Sequence, residues 1–245
     1  MAETTRPENL FIGIRPEKPV IKDYATAISF RELYKGLQKS QRNVLWKDSV
    51  AGYSLNGLKN TYYLRKSLLN GKYQISAYQR FTVHEPKDRD ILATRIVDRQ
   101  FQRSLCDNIL YPEITKRFIR DNCACQRGRG VDDALDRMEL HLRRFYQENG
   151  GNAGWVLQCD IKKYFPSTQH NVAIAKVRKA IRDPEAAAHA CAIVESFCEP
   201  VLEDKLKELV PGIDPDTAIR VAHNIAVERE KIVREKILHP DDFSL

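Results

Sequence analysis

The stretch Val156-Leu157-Gln158-Cys159-Asp160-Ile161-Lys162-Lys163-Tyr164-Phe165-Pro166-Ser167 decides how the chain is read. The apolar run from Gly154 to Ile161 predicts a short buried strand that delivers a carboxylate, Asp160, at its C-terminal end. An aspartate there is a hard oxygen ligand at a sheet edge. The carboxylate, with a neighbouring backbone carbonyl such as that of Ile161, is suited to a divalent cation. Read alone, a strand-ending aspartate more often caps a helix or a turn. Phe165, after two lysines and before Pro166, falls just beyond the turn, close to whatever such a cation would hold. Cys159 points to the opposite side of the strand and is expected in the core.

Working outward, Ser76 to His84 has the alternation of a strand, Glu85-Pro86-Lys87-Asp88 breaks it, and Ile91 to Ile96 is a candidate return strand. The result is a β-hairpin with Lys87 and Arg89 at its tip. Asp98 is placed to cap a helix running to about Tyr111, with Pro112 opening the next. Cys123 to Gly130 cannot be regular helix, having Gly128 and Gly130 within an alternating basic pattern. Val131 to Tyr146 is predicted as an amphipathic helix with Ala134, Leu135, Met138, Leu142 and Phe145 on one side. Earlier, helices are expected at Ala25–Val44 and at Ser54–Leu69, the second capped by Ser54 and stopped by Asn70-Gly71. Later ones are expected at about 169–182, 184–198, 201–210 and 215–238. Residues 1–22, with Pro7, Pro16 and Pro19, read as an extended leader, 23–200 as the main body, and 201–245 as an acidic helical segment. The fold class is α+β, helix-rich, with a small antiparallel sheet.

The chain has 245 residues, 42% hydrophobic and 30% charged, which excludes a disordered tail, a collagen-like repeat and a disulfide-stapled miniprotein. No apolar run is long enough to span a bilayer, and the first residues lack an apolar signal core, so the expected setting is cytoplasmic with no membrane partner. Six cysteines in 245 residues are too sparse for a disulfide framework, and a reducing setting is expected. The net charge is +7. Of 40 Lys and Arg and 33 Asp and Glu, seven and ten fall after Pro200, leaving the first 200 residues at +10. Any polyanion-binding surface is expected in that first part.

Lys87 and Arg89 on a hairpin tip form a cationic pair suited to a triphosphate, or simply a solvated turn. Arg127 and Arg129, spaced by Gly128 and followed by Gly130, let the backbone approach a phosphate chain while two guanidinium groups neutralise it; a flexible surface turn is the alternative. Asp98-Arg99 reads as a cap with a structural ion pair. Cys123-x-Cys125 has no second pair at zinc-site spacing, Cys106, Cys191 and Cys198 fall on apolar helix faces, and the six histidines share no ligand spacing.

Asp160 and the aromatic Phe165 five residues later resemble the first palm motif of reverse transcriptases, especially those of group II introns and diversity-generating retroelements. Phe81 to Ile91 is similar to the fingers hairpin of these enzymes, and Asp98-Arg99-Gln100-Phe101-Gln102 to their Asp-Arg-x-x-Gln helix. Leu110-Tyr111-Pro112 and Cys125-Gln126-Arg127-Gly128-Arg129-Gly130, with Ala134, are similar to the stretch linking fingers to palm. The elements follow in the family's order across roughly residues 54–198. The resemblance implies the fingers and partial palm of a right-hand polymerase, acting with dNTPs on an RNA template and DNA primer. It also implies Asp160 and the Ile161 carbonyl on Mg²⁺, with Phe165 sensing the sugar. Lys87 and Arg89 would take the triphosphate, and Arg127 and Arg129 the template.

Nucleotidyl transfer of this kind uses two metal ions about 3.5–4 Å apart, which one aspartate cannot hold. The family's later aromatic-x-Asp-Asp hairpin has no clear counterpart. His239-Pro240-Asp241-Asp242-Phe243 is the nearest match, with His in place of the aromatic and a proline that removes a ladder donor. The chain alone is therefore expected to have little polymerase activity, and an accessory protein or complementing polymerase fragment is an expected partner. The alternatives are a non-catalytic nucleic-acid-binding module derived from such a polymerase, and a scaffold that binds no nucleic acid.

Overall fold

The computed structural model describes residues 20–84, 86–161 and 168–243. Residues 1–19 of the predicted leader and Phe165 lie outside the described residues. The described chain is helix-rich with one two-stranded antiparallel sheet, as the α+β reading anticipates. It divides into two compact units: one comprises Phe118–Leu157 in its described part, the other Val20–Arg117 with Gln158 onward. No helix among the described residues is long and apolar enough to cross a membrane.

In the larger unit, the helix expected at Ala25–Val44 is two, α1 (Tyr24–Ala27) and α2 (Phe30–Ser40). The break has a local cause: the Ser29 hydroxyl accepts from the Glu32 amide and restarts the helix. Similarly, Ser54–Leu69 is α3 (Asp48–Leu55) followed by α4 (Gly57–Leu69). Ser54 is not a cap; its hydroxyl donates to the Gln41 side chain at 2.9 Å. Strands β1 (Gln79–Val83) and β2 (Arg89–Ala93) pair with Phe81 opposite Ile91. Next come α5 (Ile96–Leu105), a π-helical turn Cys106–Leu110, and α6 (Tyr111–Thr115). The helix therefore starts before Asp98, which sits inside the first turn rather than capping it.

The C-terminal half of this unit is α-helical, with the smaller unit's α7 (Val131–Asn149) preceding it in sequence. Its helices are α8 (His170–Ala180), α9 (Pro184–Ser196), α10 (Glu199–Leu209) and α11 (Pro215–Leu238), then a 3₁₀ turn, Pro240–Phe243. Asp183 caps α9 through the Ala186 amide at 3.0 Å and accepts the Tyr24 amide at 2.8 Å with its other oxygen, so one carboxylate joins the starts of α9 and α1. Asp214 caps α11 through Thr217 at 2.9 Å.

The main core gathers Leu33, Leu64, Leu68, Phe101, Leu105, Ile109 and the small face of α9, Ala186, Ala187 and Ala190. Full burial of a side chain the size of Phe101 is worth roughly 1.5–3 kcal/mol. Helices α2 and α5 approach closely at Gly36, where an added Cβ would lie 2.5 Å from the Gln100 carbonyl oxygen. Gln100, fully buried, ties this contact together: its side-chain oxygen accepts from the Tyr53 phenol at 2.8 Å, and its amide donates to the Leu33 carbonyl at 3.2 Å and the Thr61 hydroxyl at 2.7 Å.

Candidate nucleic-acid interface

The hairpin places its two predicted cations differently. Lys87 lies in the bend at the tip, exposed; Arg89 opens β2 and faces Val83 across the ladder. Neither makes an ion pair among the described residues. The turn is stiffened by His84 Nδ1 with the Asp88 carboxylate at 2.9 Å and by the Thr82 hydroxyl donating to Asp90 at 2.8 Å. On the opposite side of the strand from Phe81, Arg80 reaches the buried carboxylates of Glu199 and Glu203. Lys207 satisfies the other Glu203 oxygen at 2.6 Å, and His223 lies 3.1 Å from Glu199.

In the smaller unit, the Cys123–Gly130 tract is irregular, as expected, with Cys125 and Gly128 both at positive φ. Arg129 is turned into its own loop: Nη1 donates to the Arg120 carbonyl at 2.6 Å and the Asn122 carbonyl at 3.2 Å, and the guanidinium lies 3.9 Å from Asp133. Arg127 is exposed. Asp121 is held below the usual carboxylate range, first by its hydrogen bond from Arg137 and then by His141. The apolar side of α7 is on the helix as predicted, but Leu135, Met138, Leu142 and Phe145 are all exposed.

Gly154–Ile161 is not the buried strand expected. It is irregular, and Trp155, Val156 and Leu157 are 102%, 83% and 86% exposed. Cys159, expected in the core, is exposed. The physical reason is pairing: no strand among the described residues lies beside this segment, since the one sheet is β1–β2. An unpaired extended segment gains no ladder hydrogen bonds to offset its ordering entropy. Asp160 is consequently a solvent-facing carboxylate, and Ile161 is exposed beside it. Among the described residues of its unit, no hydrogen bond or ion pair links Asp160 to Lys87 or Arg89.

For magnesium, this donor set is short. The ion prefers six oxygens in near-octahedral array, whereas Asp160 and the Ile161 carbonyl offer two donors, and no cluster of three His, Cys, Asp or Glu able to hold a metal occurs among the described residues. Among the described residues, these two donors do not by themselves make a magnesium site.

Asp98, read as a cap and ion-pair partner, is a buried structural anchor. It accepts the Tyr73 phenol at 2.8 Å and the Ser76 amide at 3.3 Å, and burial raises its carboxyl above the usual range against those hydrogen bonds. Arg99 does not pair with it; its Nε donates to the Thr94 carbonyl at 3.1 Å. One surface feature had no counterpart in the sequence reading. Tyr62 and Tyr63 stand 53% and 55% exposed on α4, between Lys59 and Lys66. The available signal is compositional: no acidic residue occurs between Asp48 and Glu85.

A scan against protein-family models gives no match, and a search of curated proteins gives none.

Proposed function

We propose that this chain comprises the fingers and first palm segment of an RNA-directed DNA polymerase, binds nucleic acid through its basic first 200 residues, and contributes Asp160 to a nucleotidyl-transfer centre that further carboxylates must complete. Four motifs in the family's order support the ancestry. The observation that carries the incomplete-centre reading is the state of residues 155–161: an apolar run carrying a carboxylate near its end, with no strand beside it among the described residues. Such a segment has the composition of a central palm strand and the exposure of one awaiting its neighbours. The lysine and arginine of the fingers hairpin, unpaired in the described structure, remain available for phosphate.

A second reading, a nucleic-acid-binding module without chemistry, draws on the absence of a metal-holding cluster among the described residues. Primer extension on an RNA template with the purified chain, alongside filter binding of the same RNA, tests the proposal. Binding with little or no synthesis by the chain alone is expected. Sustained synthesis would overturn the incomplete-centre reading, and no RNA binding at low salt would overturn both.

A further inference from the structure

We propose that the outer face of α4, with the groove beside it, is a binding site for a single strand of nucleic acid. Lys59, Tyr62, Tyr63 and Lys66 recur at helical spacings of three and four, so they form one stripe, about 10 Å long between the lysines. The two tyrosine rings are exposed and set edge to face, centroids 5.6 Å apart at 68°. Leu58 and Leu69 extend the bare apolar surface at either end. Lys59, Lys66 and Lys72 make no ion pair among the described residues. Tyr63 also forms one wall of an open groove of about 400 Å³, with Tyr53, Asn60, Ser67, Lys72 and Gln74 among its lining.

The chemistry selects the occupant. Exposed aromatic rings flanked by unneutralised lysines match an unpaired base stacked on a ring with its phosphates held by cations. A duplex hides its base faces and does not fit such a platform. The one carboxylate in the groove wall, Asp98, is fully buried and engaged with Tyr73 and Ser76, so it does not confront the strand at the surface. An acidic protein would meet the lysines but has no use for two upright rings beside hydrogen-bonding side chains. The site stands without the polymerase reading, because it needs neither Asp160 nor a metal.

The test is fluorescence anisotropy with a labelled 16-nucleotide single-stranded RNA, the same sequence as DNA, and the RNA as a duplex, using the whole chain. Replacing both rings, Tyr62→Ala with Tyr63→Ala, is expected to weaken single-strand binding by roughly 5- to 100-fold. The salt dependence should be kept, and the duplex should bind with no such loss. Lys59→Gln with Lys66→Gln should instead flatten the logarithmic salt slope by about 1.4. Equal losses on RNA and DNA assign the face to features common to both; loss on RNA alone assigns it to RNA. Circular dichroism and the melting temperature of the tyrosine variant should match the parent, as the rings are exposed. Wild-type affinity of the folded tyrosine variant for both single strands overturns the proposal. If affinity falls only on Arg127→Gln with Arg129→Gln, this site is excluded while the polymerase reading is untouched.

Discussion

Arg80, in the first strand of the hairpin, lies 3.8 Å from the Glu199 carboxylate and also pairs with Glu203 on the next turn of α10. Just before β1, the Tyr78 phenol and the Ser196 hydroxyl of α9 share a hydrogen bond at 2.7 Å. A helix that reads as acidic surface in sequence is thus anchored to the hairpin through two buried glutamates. Arg80→Met leaves those carboxylates with Lys207 and His223 alone, and should destabilise the chain by about 2 kcal/mol in urea unfolding. Adding Glu203→Gln should restore part of that loss; a strictly additive double mutant would show that the pair is not coupled.

Glu230, buried on α11, is pushed up to about 8, chiefly by burial and further by Asp98 and Glu199, with the Ile75 backbone hydrogen bond and Arg234 opposing. The folded chain therefore holds a proton that the unfolded chain releases near its ordinary value of 4.5. Stability from this group is intact below about pH 4.5 and falls as pH rises through about 8. His189 acts oppositely. Burial against Tyr24 and Phe101 lowers it to about 3, so its contribution is lost as pH falls from about 6.5 towards 3. Between pH 6.5 and 8 Glu230 should dominate, and Glu230→Gln should flatten the decline and gain up to about 3 kcal/mol at pH 8. Thermal melts across that range check it; an unchanged pH profile would contradict the buried-acid assignment.

Gly36→Ala should cost about 2–4 kcal/mol, because its Cβ would meet the backbone oxygen of Gln100 at 2.5 Å, and backbone in a helix pair cannot yield as a side chain does. Chemical denaturation gives the value. A loss below about 0.5 kcal/mol would mean that α2 and α5 pack less closely than described.

Leu157→Asp should leave stability within about 0.5 kcal/mol, since this side chain is 86% exposed and the segment is unpaired. A buried strand would lose several times as much. Denaturation of the variant therefore reports whether residues 154–161 are paired in the free chain.

Much of the fold was legible wherever local rules decide it. The long α11, opened by Asp214-Pro215, has the expected bounds, and the hairpin follows from alternation on either side of a proline-containing turn. What could not be read depends on partners distant in sequence. Gly154–Ile161 has strand composition, but a strand exists only beside another, and no periodicity reports whether one is there. Asp98 looks like a cap because aspartate commonly is one; only the fold brings Tyr73 and Ser76 to it. Gly36 is an ordinary helix glycine until α5 lies against it. For the candidate site, Lys87 and Arg127 are exposed, whereas the inward turn of Arg129 onto the Arg120 carbonyl arises from loop geometry that composition does not encode.

The most direct test of Asp160 is RNA-templated primer extension with Mg²⁺ by this chain mixed with a polymerase fragment bearing an aromatic-x-Asp-Asp hairpin and a thumb. Synthesis should depend on both pieces, and Asp160→Ala should abolish it while leaving the affinity for the RNA unchanged. Undiminished synthesis by the Asp160→Ala chain would contradict the assignment of that carboxylate to a polymerase centre.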